Sequence, residues 1–357
     1  MSDGTHIEWT DATWNPLRAR VLNPIRTETE GQIEVGWHCE RVSPGCQHCY
    51  AETINEKRFG TGLPYNRKSR DMVSVELDEK ALLQPLHWRR PRKVFVCSMT
   101  DLFGEWVPDE VIDRVFAVMA LSPQHTFQVL TKRPERMRAY VADRGKHGFE
   151  YSAAGRIVDV IIDDKSPAFS LIHGDPSYVV KYFDWEHQEG EPWWPLPNVW
   201  LGTSVEDQPR ANERIGHLLA TPAAVRFLSC EPLLGAVDLA HIDTMDPDED
   251  PGFSALVCGP DDEGTIDTVI DWVIVGGESG PGARPCDIGW IRGIVGQCQA
   301  AGTAVFVKQL GAKPFTSNAG LPWADEHPVT WYRYKDRKGG DMAEWPKDLR
   351  VREFPNA

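Results

Sequence analysis

Three cysteines in one short loop are the residues of this chain best suited to chemistry. Cys39, Cys46 and Cys49 follow the pattern C-x6-C-x2-C. Thiolates that cluster this closely bind soft metal ions or iron–sulfur clusters. Structural zinc sites and ferredoxin-type clusters take four protein ligands, so a set of three leaves one coordination position for a substrate or a cofactor. The spacing therefore predicts a metal centre that takes part in catalysis.

A structural zinc site is the alternative interpretation of this loop. Cys46 and Cys49 have the spacing of half a zinc site, and His38 or His48 would be the fourth ligand. In that case the metal would stabilise the loop and would take no part in a reaction.

The composition indicates a folded protein of the cytoplasm. The 357 residues are 41% hydrophobic and 25% charged, which is enough to bury a full core. The N-terminal sequence lacks the features of a signal peptide, and no apolar run approaches the roughly 18 residues of a membrane span, so we expect no membrane partner. The other five cysteines occur singly, which suits reduced thiols: Cys97, Cys230, Cys258, Cys286 and Cys298.

Alternating apolar runs and amphipathic segments predict an α/β fold with parallel strands. Helices are expected at 108–121, 134–143, 208–220 and 288–301, and a seventh strand before the cysteine loop, in one elaborated domain over 1–357. Such alternation is typical of a doubly wound sheet or a barrel, and both place ligands at the carboxyl ends of the strands. Six strands are predicted: 94–97, 127–130, 199–202, 224–228, 272–275 and 304–307.

Polar and ionisable residues follow all six predicted strands. A sheet that serves only as a scaffold does not need acids and lysines at every strand exit, whereas an active site at that edge does. Helix capping explains single Ser, Thr and Asp residues at such positions, but not Lys132, Glu231, Glu278 and Lys308 together. The exits are Ser98–Asp101, Thr131–Arg133, Thr203–Glu206, Ser229–Pro232, Gly276–Ser279 and Lys308–Gly311.

Three segments stand outside this repeat. The cysteine loop covers residues 37–52. Two inserted loop regions are expected at about 144–197 and about 239–268, both acidic and rich in turn residues.

Six motifs are spread along the chain: Trp14-Asn15-Pro16, Cys39 to Glu52, Ser98 to Phe103, Leu130 to Pro134, Trp200 to Glu206 and Gly276 to Gly280. Together they resemble the three-Cys-motif phage protein family. That family is similar to a divergent branch of the radical S-adenosylmethionine (radical SAM) enzymes, including those like spore photoproduct lyase. The resemblance implies a partial or full parallel (β/α) barrel of the radical SAM type, in the host-cell cytoplasm if a phage encodes the chain.

The resemblance also implies a cofactor set. Cys39, Cys46 and Cys49 would ligate three irons of a [4Fe–4S] cluster, and the fourth iron would bind S-adenosylmethionine. Reductive cleavage of that cofactor, with an electron donor such as a flavodoxin or ferredoxin, would yield a radical that abstracts hydrogen from a substrate. Tyr50 takes the place of an aromatic residue near the adenine.

Cofactor contacts are expected at the strand exits. In the larger group a Gly-Gly-Glu sequence follows the second strand and binds the methionine amino group. In this chain Gly276, Gly277 and Glu278 follow a late strand, whereas Ser98, Thr100 and Asp101 occupy the second-strand position. We expect all six residues, with Lys132 and Glu206, to contact the cofactor.

The substrate is the least constrained part of this hypothesis. The net charge of −15 excludes non-specific coating of nucleic acid, because that mode needs a broad positive surface. A nucleotide or nucleic acid remains the candidate substrate, bound by Lys132, Arg133 and some of the tryptophans. Those tryptophans are Trp37, Trp106, Trp193 and Trp194. The alternative function is a zinc-stabilised binding or nuclease-accessory protein without radical chemistry.

Overall fold

The computed structural model has a mixed α/β fold. It describes residues 5, 7–22, 35–142, 156, 160, 195–243, 252–257, 269–318 and 328–355. Most of both predicted insertions lies outside these residues, as do Trp193 and Trp194. None of the helices in the described segments is long and apolar enough to cross a membrane.

Thirteen strands lie within the described residues. They are β1 (Ala12–Trp14), β2 (Leu17–Val21), β3 (Val35–Gly36), β4 (Val73–Leu77), β5 (Lys93–Val96), β6 (Thr126–Thr131), β7 (Val199–Ser204), β8 (Val225–Cys230), β9 (Trp272–Gly276), β10 (Cys286–Asp287), β11 (Ala304–Gln309), β12 (Pro314–Ser317) and β13 (Val329–Trp331).

Seven α-helices occur in the same part of the chain. They are α1 (Tyr50–Lys57), α2 (Arg67–Arg70), α3 (Glu79–Leu82), α4 (Asp109–Ala120), α5 (Pro134–Val141), α6 (Gln208–Leu219) and α7 (Ile288–Ala301). Short 3-10 turns are found at Pro44–Cys46, Gln84–His87, Met342–Glu344 and Lys347–Leu349.

Seven strands form one sheet in the order β1-β5-β6-β7-β8-β9-β11. The pairs β1–β5, β5–β6, β8–β9 and β9–β11 run parallel. Two small sheets have the orders β3-β2-β4 and β10-β12-β13. The predicted parallel α/β fold is therefore confirmed, while barrel closure and the radical SAM type remain predictions.

The predicted elements differ from the observed ones mainly at their ends. All six strands and four helices are present, and α7 has the predicted bounds. The seventh predicted strand corresponds to β1, which pairs with β5. Strands β6, β7, β8 and β11 run one or two residues further, into Thr131, Ser204, Cys230 and Gln309. Hydrogen bonding within a sheet continues through polar residues that a hydropathy pattern assigns to the segment after the strand.

Contacts divide the chain into two compact units. The first consists of Met1–Val42, Cys49–Leu201 and Thr221–Ala224, and the second of Ser43–His48, Gly202–Ala220 and Val225–Ala357. Cys39 and Cys49 thus belong to the first unit, whereas Cys46 belongs to the second. The single domain expected from the sequence remains a prediction.

The sequence predicts that Asp109, Asp207 and Asp287 cap or charge the first turns of their helices, and each does one or the other. The Asp207 carboxylate accepts a hydrogen bond from the Arg210 amide at 3.0 Å, and Asp287 caps α7 through Gly289 at 2.8 Å. Asp109 is the first residue of α4, where Pro108 occupies the cap position. Asp109 instead places a negative charge in the first turn, where it interacts favourably with the helix dipole.

We expect Asp207→Ala to lower the free energy of unfolding by about 1 kcal/mol, because it removes the acceptor for the Arg210 amide. Asp207→Asn keeps an acceptor but not the charge, so it should retain most of the wild-type stability. Urea unfolding of both variants measures the difference. Equal losses in the two variants would show that charge, not capping, is the stabilising feature.

Candidate functional site

Asp101 connects the exits of two neighbouring strands in the first unit. Its side chain is buried, and one carboxylate oxygen accepts hydrogen bonds from the Thr131 hydroxyl at 2.7 Å and the Phe103 amide at 3.0 Å. The other oxygen accepts from the Lys132 amide and the Arg133 guanidinium, both at 3.1 Å. Four donors fill the lone-pair sites of this carboxylate. Asp101 therefore fixes the segment after β5 to the segment after β6.

Arg133 extends this network to the cysteine loop. Its guanidinium donates to the Glu40 carbonyl at 3.3 Å and lies 4.7 Å from the centre of the Trp106 ring. The His38 ring contacts the same Trp106 edge-on at 4.9 Å, and the Thr100 hydroxyl donates to the His38 carbonyl. Burial lowers the pKa of His38 although Glu40 opposes the shift. The backbone on both sides of Cys39 is thus held at the exits of β5 and β6.

Two of the three thiols of the cysteine loop belong to one small cluster. Cys39 and Cys49 are partly buried and pack against the core formed by Ala51, Tyr65 and Met99. They lie beside the residues that follow β5, since Met99 is one of those residues.

Hydrogen bonds join that cluster to the residues that follow β5. The Tyr65 hydroxyl donates to the Met99 carbonyl at 2.7 Å, and the Tyr50 hydroxyl donates to the Ser98 carbonyl at 2.7 Å. Asn15 accepts from the Met99 amide at 3.0 Å and contacts the Ser98 hydroxyl at 3.1 Å. Tyr50 and Ser98, both predicted site residues, therefore stand next to Cys49 and Met99.

Buried polar atoms without hydrogen-bond partners occur around Cys39. Among the described residues these include the indole nitrogens of Trp37 and Trp106, Nε2 of His38 and Oε1 of Glu40. The last two face each other at 3.6 Å, beyond a hydrogen bond. Such atoms are uncommon in folded proteins and call for a specific explanation. The two indole N–H groups are donors that lack an acceptor.

A cleft of about 340 Å³ lies beside the residues that follow Cys39. Arg41 and Glu52 line it and form an ion pair at 2.8 Å. Glu52 also accepts from the Tyr65 amide at 2.9 Å, which links the wall of the cleft to the cluster that contains Cys39 and Cys49.

The Ser43–His48 segment, which contains Cys46, is held in the second unit by Glu206. One oxygen of Glu206 accepts from the Gly45 amide at 3.2 Å, and the other accepts from Arg214 at 3.1 Å. Glu206 and Arg214 form a fully buried ion pair. A side chain at position 45 would begin 3.1 Å from the Glu206 carboxylate, so the glycine permits this close approach.

Glu278 holds the other end of the segment. Arg284 binds it with two side-chain nitrogens at 2.9 and 2.7 Å and with its amide at 2.8 Å. His48 Nδ1 lies 3.0 Å from the same carboxylate. Burial alone would raise the pKa of Glu278, but the hydrogen bonds from Arg284 and His48 outweigh it and lower the pKa to about 2. Arg284 also donates to the Pro44 carbonyl at 2.9 Å.

The glycines before Glu278 have a packing role. A Cβ at Gly277 would lie 2.5 Å from the Leu310 carbonyl oxygen, and one at Gly276 would lie 3.0 Å from the Gln309 carbonyl oxygen.

Another ion pair lies at the ends of β8 and β11. Lys308 and Glu231 pair at 2.8 Å, and Gln309 donates to Glu231 at 3.1 Å. Lys308 and Glu231 therefore pair with each other.

The predicted site residues fall into two groups. Those in the first unit are Cys39, Cys49, Tyr50, Ser98, Thr100, Asp101 and Lys132, and those in the second are Cys46, Glu206, Gly276, Gly277 and Glu278. Lys132 contacts Asp101 of the first group through its backbone amide. Within the described residues, no three or more His, Cys, Asp or Glu side chains are arranged to hold a metal ion. Metal ligation by the three cysteines remains a prediction.

Sequence reasoning missed the cations that complete this arrangement. Arg214 and Arg284 bind the two predicted glutamates, and Tyr65 lies beside the predicted cysteines. Arg214 lies seven residues after Asp207, inside a helix, so a search limited to strand exits passes over it. Arg284 follows Glu278 by six residues in a loop, and a single loop arginine has no distinctive sequence pattern.

We expect Asp101→Ala to lower the free energy of unfolding by about 3–5 kcal/mol, because it leaves the Arg133 guanidinium buried without a counter-ion. Glu79→Ala is the matched control, since the Glu79–Arg114 pair at 2.6 Å is largely exposed and its loss should cost under about 1 kcal/mol. Chemical denaturation measures both. A loss for Asp101→Ala as small as that of the control would contradict a structural role for Asp101.

We also expect the stability conferred by Glu278 to depend on pH. Because its pKa is lowered from 4.5 to about 2, its stabilisation is present above pH 4.5 and is lost as the pH falls towards 2. The difference in unfolding free energy between wild type and Glu278→Gln should shrink by about 2 kcal/mol between pH 5 and pH 3. Glu110→Gln, at an exposed position, should show no such change, and a pH-independent difference for Glu278→Gln would refute the assignment.

Comparison with protein families gives one assignment. The model of the family described as "Protein of unknown function (DUF5131)" matches residues 29–343, a span that contains the cysteine loop and most of both units. Comparisons with curated proteins and with solved structures give no match. The chain therefore belongs to the DUF5131 family.

Proposed function

We propose that Cys39, Cys46 and Cys49 bind a [4Fe–4S] cluster and that the protein is an enzyme of the radical SAM type. The observation that carries the proposal is the surroundings of Cys39. Two partly buried thiols, Cys39 and Cys49, share one cluster at the carboxyl end of β5, and two buried indole N–H groups nearby have no acceptor among the described residues.

The donor set suits an iron–sulfur cluster. Sulfur ligands in a site of limited solvent access are typical of such clusters, and hydrogen bonds to the sulfurs tune their reduction potentials. Trp37 Nε1 and Trp106 Nε1 are donors of the required kind. A zinc ion bound by thiolates and one histidine brings no sulfide ions. It therefore offers these two donors fewer sulfur acceptors than an iron–sulfur cluster does.

The third thiol is linked to the other two by the chain itself. Three peptide units separate Cys46 from Cys49, so their Cα atoms lie within about 11 Å of each other. Metal sites seldom exist fully formed before the metal binds, and the free energy of binding can draw the ligands together. Six residues separate Cys39 from Cys46, whereas three residues separate the first two cysteines in the common radical SAM motif. The longer gap adds only about 0.6 kcal/mol of loop-closure free energy.

When bound, the cluster and S-adenosylmethionine would supply reductive cleavage of the sulfonium and a radical for hydrogen abstraction. The residues of this chain would bind and orient the partners. Asp101 and Glu278 already accept four donors each, so we assign them positioning roles: Asp101 orients the β5 and β6 exits, and Glu278 orients the Ser43–His48 segment. Tyr50, Ser98 and Thr100 stay candidates for cofactor contact.

A zinc-stabilised binding or nuclease-accessory protein is the second candidate function. His38 favours it, because its buried Nε2 makes no hydrogen bond and burial lowers its pKa. A neutral imidazole is the form that binds zinc. The two candidates make opposite predictions for the metal content of the protein.

We expect anaerobically reconstituted protein to contain about four iron and four sulfide per chain and, after reduction by dithionite, to release methionine and 5′-deoxyadenosine from S-adenosylmethionine. Cys39→Ala, Cys46→Ala and Cys49→Ala should each abolish the product release and lower the iron content. Cys298→Ala is the matched control, because this buried thiol on α7 lies outside the loop.

Two results would overturn the proposal. Stoichiometric zinc in place of iron, lost on substitution of His38, would establish the zinc-stabilised protein. A full iron and sulfide content without cofactor cleavage would leave a redox or structural cluster and remove the radical reaction.

A further inference from the structure

An aromatic and basic strip lies near the C-terminal end of the described chain, in the second unit. It consists of residues 331–338, with the sequence Trp-Tyr-Arg-Tyr-Lys-Asp-Arg-Lys. Exposure alternates along its first part, so that Trp331, Arg333 and Lys335 are exposed while Tyr332 and Tyr334 are half-buried. Alternation with a period of two places the exposed side chains on one side of an extended chain, about 6.6 Å apart. Neither the cysteine loop nor the strand exits described above involve this strip.

Trp331 is the outer end of an aromatic platform. Its side chain is 54% exposed, although tryptophan is a large apolar residue. It pairs across the strands with Phe315, whose ring centre lies 5.3 Å away, and Phe315 contacts Trp290 of α7 at 6.1 Å. In the order of this small sheet β13 is an edge strand. The three rings form a continuous apolar surface that reaches solvent at Trp331.

The side chains of the strip carry a net positive charge. It contains four cations and one carboxylate, in a chain whose net charge is −15. Among the described residues, no ion pair within 4.0 Å involves Arg333, Lys335 or Arg337. The negative charge of Asp336 offsets one of them; its carboxylate accepts from the backbone amides of Lys338 at 3.1 Å and Gly340 at 2.7 Å. Those hydrogen bonds lower the pKa of Asp336 and direct it into its own turn.

The other face of the strip is anchored to the protein. Tyr332 and Tyr334 stack with a 13° angle between their rings, and the Thr316 hydroxyl lies 3.3 Å from the Tyr332 hydroxyl. Glu344 accepts from the amides of Lys335 and Asp336, both at 3.1 Å. The exposed side chains are therefore presented from a fixed backbone, which lowers the entropic cost of binding a ligand.

We propose that this strip binds single-stranded nucleic acid. An exposed aromatic ring at the end of an edge strand, followed by exposed cations two and four residues further on, matches the requirements of that ligand: rings on which bases stack and positive charges that contact the phosphates. A duplex hides its base faces, so Trp331 would have nothing to stack on. A protein partner for an apolar edge would not need Arg333 and Lys335, which form no ion pair within the described residues, next to the exposed ring. The inference does not depend on the iron–sulfur proposal, because the binding requires no metal.

Fluorescence anisotropy with labelled dT20 and rU20 and with a duplex of equal length tests the proposal on the full chain. We expect single strands to bind more tightly than the duplex. Trp331→Ala should weaken single-strand binding by about five- to 150-fold, the range that loss of one stacked base implies. Arg333→Gln with Lys335→Gln should weaken it and flatten the dependence of log K on log salt concentration by about 1.4, or 0.7 for each lost phosphate contact. A difference between dT20 and rU20 identifies the preferred sugar.

Two matched controls separate the strip from general effects. Arg89→Gln with Arg90→Gln changes the net charge equally at two exposed positions, and Phe59→Ala removes an aromatic ring that is 71% exposed. Both should bind like the wild type, and thermal unfolding should show that every variant is folded. The proposal is wrong if the wild type binds no single strand at low salt or if the controls lose as much affinity as the strip variants. It is also wrong if Trp331→Ala leaves binding unchanged but turns a dimer into a monomer, since the strip would then be a contact between copies.

Discussion

The first unit depends on one buried carboxylate. Asp101 takes two donors on each oxygen, and these donors come from the residues that follow β5 and β6. Parallel strands bring their carboxyl ends to one edge of the sheet, but they do not order the loops that leave it. The buried charge requires its partners, since a carboxylate without them is costly to bury. Through Arg133 the same interaction reaches the backbone beside Cys39.

The second unit uses the same physical device on the segment that contains Cys46. Glu206 and Glu278 are buried at 1% and 7% exposure, each is paired with an arginine, and each also binds a residue between Ser43 and His48. A buried ion pair adds little net stability by itself, but its geometry is strict. Arg284 makes two parallel bonds to Glu278, which fixes direction as well as distance. The acids at the strand exits thus order the loop, whether or not they also contact a ligand.

The aromatic and basic strip shows that a chain with a negative net charge can carry a local positive surface. A net charge of −15 argues against a general affinity for nucleic acid, and that argument holds for the surface as a whole. Screening limits the reach of a charge to about 8–10 Å at physiological salt, so a bound strand would respond mainly to the cations next to it. The tryptophans first considered for this role, Trp37 and Trp106, are instead engaged with Arg18 and Arg133 at 4.7 Å. Among the tryptophans that the structure describes, Trp331 is the exposed one.

The sequence by itself determined the alternation of strands and helices, the parallel sheet and the location of polar residues at strand exits. These features follow from local periodicity, which hydropathy and capping residues reveal over windows of a few residues; the bounds of α7 and the Asp207 cap are examples. It also singled out Cys39, Cys46 and Cys49 by spacing. Only the tertiary structure decided which donors meet each carboxylate, that Gly277 is needed for its approach to Leu310, and that Trp331 reaches solvent beside Phe315. Arg284 is six residues from Glu278 in the chain but 240 from Pro44, and both contacts arise from side-chain directions that no periodicity encodes.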